Sequence, residues 1–172
     1  MNSDNIDLKY LLGLLNSNVL FWIFQKICYN LGNKGFRFIK NFVEQLPIIL
    51  DNKNQENVIL LVDNILRLNK EIEIYECYLF DILKNKYGIN DFSKKIENFY
   101  LVSPKEFIKE VKKKNKNIDE EILVKIYEES KSNILKLKIE LESDNSKLNS
   151  IVYQIYNLNE REISIIEKDV KT

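Results

Sequence analysis

Histidine is absent from all 172 residues. That absence excludes His-based triads, most catalytic zinc sites and imidazole acid/base chemistry. Glycine occurs at Gly13, Gly32, Gly35 and Gly88 only, and those spacings build neither a dinucleotide fingerprint nor a phosphate-binding P-loop. The two cysteines, Cys28 and Cys77, sit in apolar helical patterns without the paired spacing of a zinc site or redox motif. They read as buried free thiols of a reducing cytoplasm. The apolar run from Tyr10 to Tyr29 is broken by Asn16, Ser17, Asn18, Gln25 and Lys26, which makes it too polar for a membrane span. No basic region precedes it, as a signal peptide would need. The expectation is a cytoplasmic chain with no membrane partner, no metal site and no cofactor of its own.

Hydrophobic residues at 45% and charged residues at 30% suit a folded globular chain and argue against disorder. The length allows one domain with a proper core, or a small domain with a helical appendage. Lysine plus arginine and aspartate plus glutamate each number 26, so the chain offers no bulk attraction to nucleic acid. The charges are nonetheless uneven. Residues 1–47 carry five basic and three acidic residues, net +2; residues 103–117 carry six and two, net +4; residues 118–172 carry eight and twelve, net −4.

Leu8, Leu11, Leu12, Leu15, Val19, Trp22 and Ile23 recur at helical spacing and predict an amphipathic helix over about 7–30, with a candidate break near Asn16. Leu31-Gly32-Asn33-Lys34-Gly35 reads as a loop, and Phe36-Arg37-Phe38-Ile39 alternates like a short strand. The strongest pattern follows Pro47. Val58, Ile65, Ile72 and Leu79 fall seven apart, with Leu61, Leu68, Tyr75 and Ile82 three after each, so both seam positions of a heptad are apolar. This long helix should stop at Tyr87-Gly88, where glycine can take the left-handed conformation. Ser103-Pro104-Lys105-Glu106 predicts a capped helix start. A further helix over about 119–142, with Leu123, Tyr127, Ile134, Leu137 and Leu141 on one stripe, can pair antiparallel with the heptad helix. Leu148, Val152 and Ile155 then predict a tail helix, and Asn159-Glu160-Arg161-Glu162 the cap of another. The expected fold is mainly α, a long heptad helix hairpin or bundle with a small β element near residues 36–48.

Glu110-Val111-Lys112 formally matches the Glu-x-Lys half of a metal-dependent nuclease centre. It lacks an upstream Pro-Asp partner and lies in a lysine-rich helix, so a solvated helix face is the better reading.

Four blocks in order resemble a known family. They are Tyr10-Leu11-Leu12-Gly13-Leu14-Leu15-Asn16-Ser17 followed by Gly35; Glu44-Gln45-Leu46-Pro47-Ile48; Glu106-Phe107-Ile108-Lys109-Glu110; and Ile151 to Ile163. Together they resemble the TaqI-like C-terminal specificity domain of type IIG restriction-modification enzymes and adenine-specific DNA methyltransferases. Asn149 stands where that family often has an acidic residue, and Asn157 where it often has glycine. The resemblance implies that residues 1–50 are the C-terminal part of a target-recognition domain and residues 51–172 a helical spacer with tail helices. It also implies double-stranded DNA and a methyltransferase domain or subunit as partners. S-adenosylmethionine belongs to that other part, because the adjacent prolines of its Asn-Pro-Pro-Tyr type motif are missing here: Pro47 and Pro104 stand apart. On this reading Met1 begins partway through a recognition domain.

The DNA contacts this reading nominates are Lys34, Arg37 and Lys40 around the glycine loop, with Asn16 and Ser17 at a helix end. Arg37 is the candidate for a base edge, since guanidinium binds guanine bidentately. Lys109, Lys112, Lys113 and Lys116 are candidates for sequence-independent phosphate contacts. Each has a plainer alternative: solvated lysines, and helix breaking or capping for Asn16 and Ser17. A different class of function, a helical interaction module dimerising through the heptad seam, competes with DNA recognition. Intramolecular packing of that seam competes with both.

Overall fold

Residues 6–28, 36 and 39–170 are described by a computed structural model of the chain. Among them the elements are α1 (Leu8–Leu15), α2 (Asn18–Ile27), α3 (Lys40–Val43), α4 (Gln55–Tyr87), α5 (Lys94–Glu97), a 3-10 turn (Phe99–Leu101), α6 (Pro104–Lys114), α7 (Glu120–Ile155) and α8 (Glu160–Val170). The fold is mainly α, as the periodicities require. The small β element expected near 36–48 reduces, among the described residues, to an isolated bridge at Phe36. Lys40–Val43 winds instead into one helical turn, with Ile39 extended before it.

The chain forms two compact units, one from 1–65 with 143–172 and the other from 66–142. The boundary expected at residue 50 therefore falls inside the first unit. Residues after 143 pack on the core begun by α1 and α2.

In the first unit, Tyr10, Leu14, Val19 and Leu20 bury against Val58, Val62, Leu148, Val152 and Ile166. Each such side chain contributes on the order of 1.5–3 kcal/mol when fully buried. Gly13 permits the close approach of α1: a Cβ there would stand 2.7 Å from Val58 Cγ1 and 2.9 Å from Val62 Cγ2. The helix expected over 7–30 is broken at Asn16-Ser17. Ser17 is extended, donates its hydroxyl to the Leu14 carbonyl at 2.6 Å and accepts from the Leu20 N–H at 3.3 Å. It caps α2 as serine does at helix starts. Asp7 does the same for α1, accepting from Lys9 and Tyr10.

The helix expected to end near 142 does not end there. α7 continues to Ile155 because the polar run Ser143-Asp144-Asn145-Ser146 contains no breaker, and its buried member, Asp144, is satisfied: Asn64 donates to it from α4, and Lys147 of α7 itself does so at 2.8 Å. α7 closes on Asn157, whose φ of 51° is left-handed. Leu158 N–H bonds the Tyr153 carbonyl and Asn157 N–H the Gln154 carbonyl, both at 3.0 Å, the paired bonds of a Schellman ending. Asn159 and Glu162 then make the reciprocal cap of α8.

In the second unit the core is aromatic. Phe107 stacks on Tyr127 with centroids 4.8 Å apart, Phe99 meets Tyr127 at 6.0 Å, and Leu79, Leu83, Leu123 and Ile134 surround them. α4 and α7 run antiparallel here: Arg67 pairs with Glu140, while Asn115, near the start of α7, caps the Tyr87 carbonyl at 2.8 Å. α4 ends at Gly88, with φ +65°, as expected from its sequence. The Ser103–Glu106 capping box of α6 is complete, with proline at its first turn. Tyr127 and Lys131 both donate to the Val102 carbonyl at 2.6 Å, fixing the chain just before that cap.

The heptad seam is buried in both units: Val58 in the first, and Leu68, Ile72 and Leu79 in the second. Cys77 lies five positions after Ile72, at the outermost heptad position, and is exposed; Cys28, at the end of α2, is half-buried. The expectation that both thiols are core is corrected by that register. No helix among the described residues is long and apolar enough to cross a membrane.

Candidate functional site

α6 buries Phe107, Ile108 and Val111 and turns its lysines outward. Lys105 and Lys109 stand one turn apart on that outer face, and Lys116 follows just past the helix end; all three are exposed. The intervening lysines have local partners. Lys112 pairs with Glu120, Lys113 with Glu110 at 2.7 Å and Lys114 with Asp91 at 2.6 Å. The Lys113 hydrogen bond holds the Glu110 carboxyl below its ordinary range, and the Ser103 N–H does the same for Glu106. Both acids are therefore ionised at neutral pH and cancel nearby positive charge. Of the four lysines nominated here, Lys109 and Lys116 make no ion pair among the described residues, whereas Lys112 and Lys113 do. Lys105 is an addition: it lies on the same face, one turn before Lys109, a relation readable from the helical spacing.

The formal Glu-x-Lys pair is spoken for in the same way. Glu110 accepts from Lys113 and Ser93, and Lys112 turns to Glu120. Among the described residues no group of three or more Cys, Asp or Glu is arranged to hold a metal ion.

Around the N-terminal helices, Lys34 and Arg37 lie outside the described residues. Lys40 is exposed at the start of α3, 3.6 Å from Glu44. Asn16 is exposed, spends its amide on the Leu12 carbonyl at 2.9 Å, and edges an apolar cleft of about 410 Å³ between α1, α2 and the Val43–Leu46 turn. Ser17 is fully buried and committed to the α1–α2 joint, so the capping alternative describes it. Asn16, Ser17 and Lys40 belong to the first unit and the α6 lysines to the second.

Within the first unit the structure brings together sequence segments from 39 to 147 residues apart. Tyr10 donates its hydroxyl to the Ile49 carbonyl at 2.9 Å and accepts from the Asp51 N–H at 3.2 Å; Tyr156 donates to the Pro47 carbonyl. Two tyrosines far apart in the chain thus hold the non-helical 47–51 segment. Burial pushes the Tyr156 phenol up to about 12. Asn149 accepts from the Asn18 N–H at 2.8 Å, and Asp169 of α8 accepts from both Trp22 Nε1 at 2.9 Å and Lys26 Nζ at 2.8 Å. The hydrogen bonds from Lys26 and Trp22 hold Asp169 below the usual carboxylate range. Sequence reasoning missed these polar ties because a tyrosine hydroxyl or a tail aspartate carries no local periodic signal.

A shallow groove of about 1100 Å³ also lies in the first unit, lined by Leu60, Leu61 and Asn64 of α4 and by Asp144, Lys147 and Ile151 of α7. Its buried carboxylate is the one that Asn64 and Lys147 satisfy.

Residues 51–152 match a family described as a domain of unknown function, DUF8810. No curated protein and no solved structure matches the chain.

Proposed function

The chain belongs to the DUF8810 family, a domain of unknown function, and we propose that it serves as a non-catalytic DNA target-recognition and positioning module of a restriction-modification enzyme. In this reading it holds duplex DNA while a methyltransferase domain or subunit, with S-adenosylmethionine bound there, acts on an adenine. The flipped base and the cofactor are handled elsewhere; this chain supplies grip and geometry.

The observation that carries the reading is the convergence of three of the four blocks that resemble TaqI-like specificity domains; the fourth, Glu106–Glu110, belongs to the second unit. The Tyr10–Ser17 block, the Glu44–Ile48 block and the closing 151–163 block meet in one unit through Tyr10, Tyr156 and the cluster around Leu148 and Val152. Blocks that co-fold in this way are expected to be inherited together, which is what an ordered resemblance across most of a chain requires. The two positions that depart from the family pattern also keep the local roles an acidic residue and a glycine would have: Asn149 is a hydrogen-bond acceptor and Asn157 is left-handed.

The test is binding of the purified chain to mixed-sequence duplex by fluorescence anisotropy across a salt series. Affinity that falls steeply with salt is expected. Absence of binding at low salt, together with concentration-dependent self-association, would reverse the reading in favour of an interaction module.

A further inference from the structure

We infer that Lys105, Lys109 and Lys116 form a phosphate-gripping rail for duplex DNA, and that the neighbouring Lys112, Lys113 and Lys114 contribute little to it. The inference rests on the DNA reading above and assigns the grip to named groups within it.

A lysine attracts a phosphate in proportion to the charge it has left to offer. Lys112, Lys113 and Lys114 each have a carboxylate within ion-pair distance, on Glu120, Glu110 and Asp91. A phosphate approaching one of these meets a near-neutral pair, and gains the cation only by displacing an acid already in place. Lys105, Lys109 and Lys116 have no such acid among the described residues and are exposed. Their arrangement suits a repeating polyanion. Lys105 and Lys109 are separated by four residues of α-helix, a rise of about 6 Å, and Lys116 follows two residues past the last helical residue, beyond the extended Asn115. The opposite side of α6 is anchored by the fully buried Phe107 and Val111, and the capping box fixes its start. Two of the three cations are therefore carried on a rigid helix, whose backbone need not be ordered when the polymer arrives. Nothing in it distinguishes one base from another, so its contribution is the same for every sequence.

Counterion release makes the proposal quantitative. Three phosphate contacts contribute a slope of about −2.7 to the dependence of log affinity on log salt. The experiment compares the full chain, the triple variant Lys105→Gln/Lys109→Gln/Lys116→Gln and the double variant Lys112→Gln/Lys113→Gln on two unrelated duplexes, with circular dichroism as a check of folding. The triple variant should lose about 2.7 of the slope, equally on both duplexes, and the double variant less than about one. Equal loss per charge in the two variants would overturn the assignment and leave a diffuse basic surface, as would a triple variant that binds like the parent. Either result leaves the recognition reading standing. If the parent chain binds no duplex at low salt, both fall together; vesicles of mixed neutral and anionic lipid, run in parallel, show in that case whether the patch serves a membrane surface instead.

Discussion

The backbone N–H of Asn18, the first residue of α2, donates to the side-chain oxygen of Asn149 on α7 at 2.8 Å, so one helix is capped by another 131 positions away. A helix start is a site of partial positive charge with unsatisfied N–H groups. An acidic side chain at 149 would supply the same acceptor.

Replacing Asn149 with alanine should therefore cost about 1 kcal/mol, as loss of a helix cap does. Asn149→Asp should change stability by only a few tenths, since the dipole gain offsets the loss of the Asn149 amide bond to the Asn145 carbonyl. Urea denaturation of the two variants measures the difference. Equal destabilisation by both would show that the acceptor is not what matters.

Gly13→Ala should destabilise the first unit by about 1–3 kcal/mol, the usual cost of overpacking. The added methyl would meet the short, stiff side chains of Val58 and Val62. Pairing it with Val62→Ala, which makes room on the facing helix, should recover part of that loss in the same denaturation assay.

Asn157 and Gly88 both occupy left-handed backbone. Asn157→Gly should be neutral or slightly stabilising, whereas Asn157→Val should cost at least about 1–2 kcal/mol. Gly88→Ala is strained in the same way even though no neighbour lies within 4 Å of its would-be Cβ. Thermal melts of the three variants separate backbone strain from crowding.

Tyr156 should make the fold sensitive to strong alkali. Its phenol is pushed up to about 12 from the ordinary tyrosine value of 10.0, chiefly by burial. A folded pKa above the unfolded one means that the folded state keeps its proton longer, so this stabilisation is complete below pH 10 and is lost as pH rises toward about 12. Tyr156→Phe should flatten that alkaline decline while costing about 1 kcal/mol at neutral pH for the bond to Pro47. Stability followed by circular dichroism between pH 8 and 12 reads both effects.

Thiol titration of the native chain should give one fast and one slow cysteine. Cys77 is exposed and Cys28 half-buried, so Cys77→Ser should remove the fast phase. Its removal by Cys28→Ser instead would contradict the heptad register assigned to α4.

The long helices were legible because their signals are local and repeated. Val58 to Leu79 declare a seam every seven residues, Gly88 stops it, and Ser103-Pro104 with Glu106 starts the next helix. The Ser143–Ser146 run misled, because polarity in sequence looks like an end of helix when it is a buried contact made across to Asn64. Cys77 misled for the converse reason: an apolar neighbourhood does not say which side of the helix a residue faces. The lysine run on α6 was visible as charge, but which lysines remain unpaired depends on Asp91 and Glu120, brought alongside by tertiary structure. Lys34 and Arg37, the loop candidates, lie outside the described residues.

The order of residues in the first unit sets a schedule for its birth. α1 and α2 are synthesised first, yet Leu148, Val152 and Ile166, which cover Tyr10, Leu14 and Leu20, emerge only after the whole of 66–142. At about 5–20 residues per second, those early helices wait roughly 6–24 s with their apolar faces only partly covered, by Val58 and Val62. Meanwhile 66–142 has every partner of its own core already made. A nascent chain halted near residue 142 should thus carry a finished second unit beside an adhesive, half-built first one, the stage at which a chaperone or a waiting subunit would find the most to hold.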